Sequence, residues 1–237
     1  MPLLVLLRHG QSQWNLENRF TGWVDVDLTQ KGEAEAVRGG ELIKAAEIEF
    51  DCAYSSVLTR AIRTADLALA AAGQLWIPLE KDWRLNERHY GGLTGLNKAE
   101  VAAQHGDEQV KVWRRSYDIP PPPLPAGGAY PFAKERRYAD AAVPDTESLK
   151  TTLERVLPYW EEAIAPNLRR AETILVAAHG NSLRAIVKHL FEIADDRIVE
   201  VEIPTGNPLA IELDPNLRPT GARYLDGARA TALPATP

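Results

Sequence analysis

Two runs of apolar residues, Leu3-Leu4-Val5-Leu6-Leu7 and Ile174-Leu175-Val176-Ala177-Ala178, each lead into a histidine followed by glycine. Short runs without polar alternation read as strands buried on both faces, which need a covering layer on each side. His9 and His179 then follow the carboxyl ends of strands, where α/β sheets hold their ligands. Arg8 adds a fixed positive charge beside His9. Two histidines and an arginine drawn to one place suit phosphoryl transfer, with one histidine as nucleophile.

Between these strands the pattern alternates. Thr29 can cap a helix running to about Ala46, with Gly39 and Gly40 as weak points inside it. Cys52–Ser55 reads as a strand, and a helix follows from about Leu58 to Ala72, with Gly73 as its stop. Ile77–Leu79 reads as a further strand, and Asn97–His105 and Glu108–Tyr117 as surface helices. A helix from about Thr146 to Ile164 is expected to kink or divide at Pro158. Strand 173–178, a helix Ser182–Phe191, and strands near 198–203 and 209–213 complete the series. The fold class expected is α/β, with a mostly parallel central sheet in three layers.

At 237 residues the chain suits one large domain spanning 1–237. The single break in composition is Pro120-Pro121-Pro122-Pro123 with Pro125, Gly127-Gly128 and Pro131. The second histidine strand lies beyond it, so 118–145 reads as an excursion from one domain, an active-site lid, and not as a linker. A short tail occupies about 227–237. The formal charge of −6 argues against a nucleic-acid surface, so any anion site must be a local cluster of cations. The single cysteine, Cys52, reads as a core residue in a reducing compartment. No leader and no membrane span of about 20 apolar residues is expected, which points to the cytoplasm.

A phosphoryl group in flight spreads charge over its equatorial oxygens, so cationic donors are needed. Arg8 adjoins His9, and Arg60 opens a helix just past a strand. Arg63, one turn on, reads as a surface residue. Asn15 and Ser12 can donate from the first loop. His9 must be neutral to attack, so one ring nitrogen needs an acceptor, which the sequence does not name. A proton carrier is also required, and Glu87 in the glycine-rich run Leu85–Gly92 is the best candidate.

The run Leu6-Leu7-Arg8-His9-Gly10-Gln11-Ser12-Gln13-Trp14-Asn15 resembles the signature of the histidine phosphatase superfamily. Arg19–Trp23, Tyr54–Ala61, Leu85–Gly91, Gly95–Glu100, Trp113–Arg115, Thr146–Leu149, Ala178–Arg184 and Ile203–Gly206 resemble its 2,3-bisphosphoglycerate-dependent phosphoglycerate mutases, over the chain to about residue 226. The resemblance implies a phosphoglycerate mutase-like fold, with His9 phosphorylated by 2,3-bisphosphoglycerate and 3-phosphoglycerate and 2-phosphoglycerate interconverted without a metal. Arg8, Asn15, Arg60, His179 and the Gly180 amide would hold the transferring group, and Glu87 would serve as general acid and base. Arg88, Tyr90, Lys98, Arg114 and Arg115 would form the collar around the rest of the substrate, with Thr21, Gly22 and Asn181 as further contacts. A homodimer or homotetramer is implied as well.

Two other readings compete. A phosphatase of the same superfamily would use the same histidine but pass the phosphoryl group to water. A non-catalytic binding protein would have lost one of Arg8, His9, Arg60, Glu87 or His179, and all five are present. The tail from Ala228 carries no lysine, unlike the lysine-rich tails of many members of that family.

Overall fold

Alternate residues of the first strand, β1 (Leu3–Arg8), are buried on opposite faces of one sheet. The computed structural model describes residues 1–233. Five further strands follow: β2 (Cys52–Ser55), β3 (Leu79–Lys81), β4 (Thr173–Ala178), β5 (Leu209–Leu213) and β6 (Pro219–Tyr224). Their order across the sheet is β3-β2-β4-β1-β5-β6. The pairs β3–β2, β2–β4 and β4–β1 are parallel, while β5 runs antiparallel to β1 and β6 antiparallel to β5.

The helices are α1 (Gln13–Leu16), α2 (Gln30–Ala45), α3 (Thr59–Ala72), α4 (Lys98–His105), α5 (Asp107–Arg115), α6 (Leu149–Tyr159), α7 (Ala165–Arg169) and α8 (Gly180–Leu190). Val5, Leu7 and Leu175 pack on one face with Ile43 of α2 and Leu69 of α3. Leu4, Leu6, Ile174 and Val176 pack on the other with Val156, Leu168, Leu183 and Ile186 of α6, α7 and α8. The sheet thus lies between two helical layers. Because α2 and α8 leave adjacent parallel strands towards opposite faces, β1 and β4 flank a switch point, where a crevice opens at the strands' carboxyl ends.

Several elements differ from expectation. Residues 198–203 are not a strand: Ile198–Glu200 forms one 3-10 turn and the chain then runs outside the sheet. The edge strand β6 was not foreseen, since Pro219 and Gly221 lower its strand propensity, but proline is tolerated at the first position of an edge. The third strand lies at Leu79–Lys81, two residues later than expected, with the Pro78 carbonyl accepting from the Ala53 N–H. Pro158 does not break its helix. A π-helical turn, Trp160–Ile164, follows it and joins α6 to α7. Gly39 and Gly40 are contact points: a Cβ on Gly40 would stand 2.1 Å from the Ala68 carbonyl oxygen of α3. Cys52 is only half-buried, with Asn167 beside its sulfur.

The proline-rich segment packs back on the same body. Gly92 N–H donates to the Pro122 carbonyl at 2.7 Å, and Leu124 N–H to Asp145 at 2.9 Å. Phe132 and Tyr138 close over Trp23 in a small aromatic cluster.

Candidate active site

The parallel register of β1 and β4 pairs Leu3 with Thr173 and Arg8 with Ala178, so the two histidines emerge at one level. The His9 N–H donates to the Ala178 carbonyl at 2.9 Å, and the imidazole centroids lie 5.0 Å apart, edge to face. Both rings are buried.

His9 Nδ1 lies 2.7 Å from the Gly10 carbonyl oxygen. A carbonyl can only accept, so Nδ1 carries the proton and Nε2 keeps its lone pair. Burial, then Arg60 and Arg8, push the His9 pKa well below the usual histidine value, against the opposing Gly10 contact. The carbonyl of the very next residue is the missing acceptor, and only backbone geometry discloses it. Gly10 has no room for a side chain, since a Cβ would stand 2.1 Å from the Gly32 carbonyl oxygen at the start of α2.

His179 lies 2.7 Å by Nε2 from the Ser56 hydroxyl, and its buried Nδ1 has no partner among the described residues. Burial, then Arg60 and His9, hold its pKa well below the usual value. The Ser56 oxygen also accepts the Leu58 N–H. If the serine hydroxyl donates to Nε2, Nδ1 carries a proton free to donate.

Arginine 60 is held by the Val24 and Gly22 carbonyls at 2.9 and 2.8 Å, and Arg8 by the Ile203 carbonyl at 2.8 Å. The Nε of each is buried and unpartnered among the described residues. Burial, outweighing the pull of Glu87 and Asp25, lowers the Arg60 pKa to about 10. Glu87 Oε1 accepts the backbone N–H groups of Arg88 at 2.7 Å and Asn181 at 3.1 Å, which fixes the carboxylate against the start of α8. That helix begins at Gly180, two residues earlier than expected, so its first amides face the site.

A cavity opens above His9. Of the residues singled out in the sequence, Arg8, His9, Asn15, Thr21, Arg60, Glu87, Tyr90, Lys98, Arg114, Arg115, Gly180 and Asn181 border it. Ser12, Gly22, Arg88 and His179 do not, and stand one layer behind. Ser12 caps α1, its hydroxyl accepting the Asn15 N–H while its own N–H donates to Asn15 Oδ1. Arg88 is buried with its guanidinium 4.8 Å from the Tyr90 ring centre. Burial would raise the Tyr90 pKa, but Arg88 brings it below the usual phenol value. Lys98 is lowered by burial and then by Arg114 and Arg8, with Tyr90 opposing.

Arg19, Phe20, Arg184, Glu202 and Ile203 also border the cavity without having been assigned a role. Arg184 stands one turn along α8 from Asn181, a spacing that was legible; Glu202 came to the site because 198–203 is not a strand. Arg63 pairs with Asp27 and Glu33 outside the cavity. Residues 118–145 do not border it either, so they form no lid over it. Their contact is from behind, with Tyr138 accepting from Asn86 at 3.0 Å. The tail is described to residue 233, and the remainder of that expectation lies outside the described residues. Among the described residues no group of three or more His, Cys, Asp or Glu side chains could hold a metal ion, and no helix is long and apolar enough to cross a membrane.

The profile of the histidine phosphatase superfamily (branch 1) matches residues 4–219. A 2,3-bisphosphoglycerate-dependent phosphoglycerate mutase of Caulobacter sp. (strain K31) is 76% identical over 235 residues, covering 99% of each chain. One of the same name from Hyphomonas neptunium is 61% identical over the whole of both chains. Among solved structures, a mycobacterial glucosyl-3-phosphoglycerate phosphatase superposes with a TM-score of 0.70 over 94% of this chain and 97% of that one, at 23% identity. That likeness speaks for the fold.

Proposed function

The chain belongs to the histidine phosphatase superfamily (branch 1), and from that premise we propose that it is a phosphoglycerate mutase, as its relatives are named, interconverting 3-phosphoglycerate and 2-phosphoglycerate in glycolysis and gluconeogenesis. The observation that carries the reading is His9 at the floor of a cation-lined cavity, its Nδ1 proton tied to Gly10 and its Nε2 free. The bisphosphate primer, 2,3-bisphosphoglycerate, supplies the phosphoryl group that charges His9. The residues suit such a ligand. Unpartnered buried N–H groups on Arg8 and Arg60 cost about 1–3 kcal/mol each, and anionic oxygens would satisfy them.

In the step we assign, His9 Nε2 attacks phosphorus, and the P–N bond forms as the bond from phosphorus to the substrate oxygen breaks. Glu87 gives that oxygen its proton, and in the return step takes one from the acceptor hydroxyl. Arg8, Arg60, Asn15 and the Gly180 amide hold the equatorial oxygens, and His179, buried beside His9 with its Nδ1 unpartnered among the described residues, supports them from the layer behind. Ser12 and Gly22 act by orienting Asn15 and Arg60. Tyr90, Lys98, Arg114, Arg115, Thr21 and Asn181 hold the carboxylate and the phosphate that stays, with Arg88 behind Tyr90. This lining favours mutase over a phosphatase of simple monoesters, because interconversion requires a carboxylate and a second phosphate to stay bound while the other phosphoryl group moves. The cations supply the charge that a metal supplies in other phosphoryl transfers, so no metal is assigned.

We further infer one domain over 1–237, a homodimer or homotetramer, and the cytoplasm as the compartment of these metabolites. The exposed Leu75 and Trp76, just ahead of the edge strand β3, support self-association. Sedimentation of the purified chain and cell fractionation check these placements; a monomeric mass or an exported fraction would remove them.

The deciding experiment follows 3-phosphoglycerate to 2-phosphoglycerate in chelator, with and without 2,3-bisphosphoglycerate, while free phosphate is read in the same tubes. Isomerisation stimulated by the bisphosphate, and lost by at least about 10⁴-fold in His9→Ala, is expected for loss of a covalent nucleophile. Phosphate release without isomerisation would assign the chain to the phosphatases instead.

A further inference from the structure

Arg184 borders the cavity, is buried to 4% exposure, and pairs with no carboxylate among the described residues. A buried guanidinium without a counter-charge is costly unless its donors are satisfied. Nη2 donates to the Ile198 carbonyl at 2.7 Å, holding the chain that leads to Ile203. Nη1 donates to Asn181 Oδ1 at 2.9 Å, one turn back on α8. Asn181 Nδ2 in turn donates to the Tyr90 hydroxyl at 3.2 Å.

A guanidinium can only donate. Whatever faces Nη1 must therefore be the oxygen of the Asn181 amide, which turns its NH₂ towards Tyr90. The Tyr90 oxygen then accepts, and its own proton is left for another acceptor. Were the amide reversed, Oδ1 would take that proton, and the cavity would lose the Tyr90 donor while Asn181 presented an acceptor. An anion with carboxylate and phosphate groups needs donors on every side. Asn15 is set in the same sense, because a backbone N–H, Ser12's, holds its Oδ1.

We propose that Arg184 is a positioning residue that locks the Asn181 amide and, through it, makes the Tyr90 hydroxyl a donor to the bound phosphoglycerate. This rests on the cavity being the phosphoglycerate site. The ligand is read directly, by calorimetric titration of 3-phosphoglycerate, which needs no turnover.

Arg184→Lys keeps a donor that cannot accept, Arg184→Gln permits either amide orientation, and Arg184→Met removes the lock. Affinity should stay within about threefold of the parent in R184K and weaken about tenfold in R184Q and R184M, the scale of one lost hydrogen bond to a charged group. In an Asn181→Ala background, R184M should weaken binding by less than about twofold, since the group it acts through is gone. Melting temperatures of all variants show whether each is folded, and R184Q against R184K carries the test if R184M is not. Unchanged affinity in R184M, full additivity in the N181A background, or R184Q matching R184K would overturn the proposal. A parent chain that does not bind 3-phosphoglycerate would overturn the phosphoglycerate reading first, and this inference with it.

Discussion

Arg115 reaches the cavity with a partner already on it, since Glu202 Oε2 lies 3.3 Å from its Nη2 and half of the Glu202 side chain is open to solvent. With Glu87, Glu202 is one of two carboxylates on a lining that carries seven cationic side chains. In the proposed reaction Glu87 relays the substrate proton, whereas Glu202, paired with Arg115, competes with an incoming anion. An exposed pair of this kind is worth about 0.2–1 kcal/mol. Glu202→Gln should therefore lower the KM for 3-phosphoglycerate about two- to fivefold with kcat held within about twofold. The side chain can be changed without loosening the tail, because Thr231 and Tyr224 bond to the Glu202 backbone carbonyl. Steady-state kinetics at low and moderate salt checks this; a raised KM would mean that Glu202 orients Arg115 instead of competing for it. Such roles are poorly legible in sequence. The side chains of His9 and Glu87 could be named from their setting, but the groups that define their state are backbone atoms of Gly10, Arg88 and Asn181.

At the scale of elements, what periodicity encodes was readable and what close approach encodes was not. Residues of β1 and β4 announce a doubly covered strand because nothing polar interrupts them. Gly39 and Gly40 look like flaws in α2 on propensity alone, since glycine weakens a helix interior by about 1 kcal/mol. In the fold Gly40 lets α2 lie against the Ala68 carbonyl of α3, and Gly32 lets it lie under the loop that carries His9. Backbone contact between two elements leaves no trace in either one's pattern. The segment 198–203 failed for a related reason. Ile198, Val201 and Ile203 are buried, as strand residues would be, but against α8 and its neighbours, with no strand alongside. That departure matters, since it carries Glu202 and the Ile203 carbonyl to the cavity mouth and to Arg8. The start of α8 at Gly180 is hard to read in sequence because histidine is not among the usual N-cap residues, and the hydroxyl that accepts the His179 N–H belongs to Ser182, inside the helix.

The whole molecule reconciles a net charge of −6 with a cavity that gathers seven cations, by placing most carboxylates elsewhere on its surface. Histidines next to that cavity stay neutral because charging them would add positive charge where it is already dense and dry. His9 and His179 are held well below the usual value, burial first and then neighbouring cations. His89, packed beside Trp23 and Phe132 with its Nδ1 accepting from Gly91 N–H, is lowered to about 4, mainly by burial. In the unfolded chain each titrates near 6.5. Above that pH neither state binds these protons, and their contribution to stability is fully present. Below it the unfolded chain takes up protons that the folded chain refuses, so stability falls with falling pH until the folded values are reached. Each histidine contributes a slope of at most about 1.4 kcal/mol per pH unit, and the three together at most about 4. Urea unfolding at pH 7.5, 6.5, 5.5 and 4.5 should show a nearly flat upper interval and then a steep loss. His89→Asn, which does not touch the cavity, should reduce the lower slope by about one proton. Stability that held level down to pH 5 would mean that the imidazoles charge inside the fold, and a neutral His9 nucleophile would lose its basis.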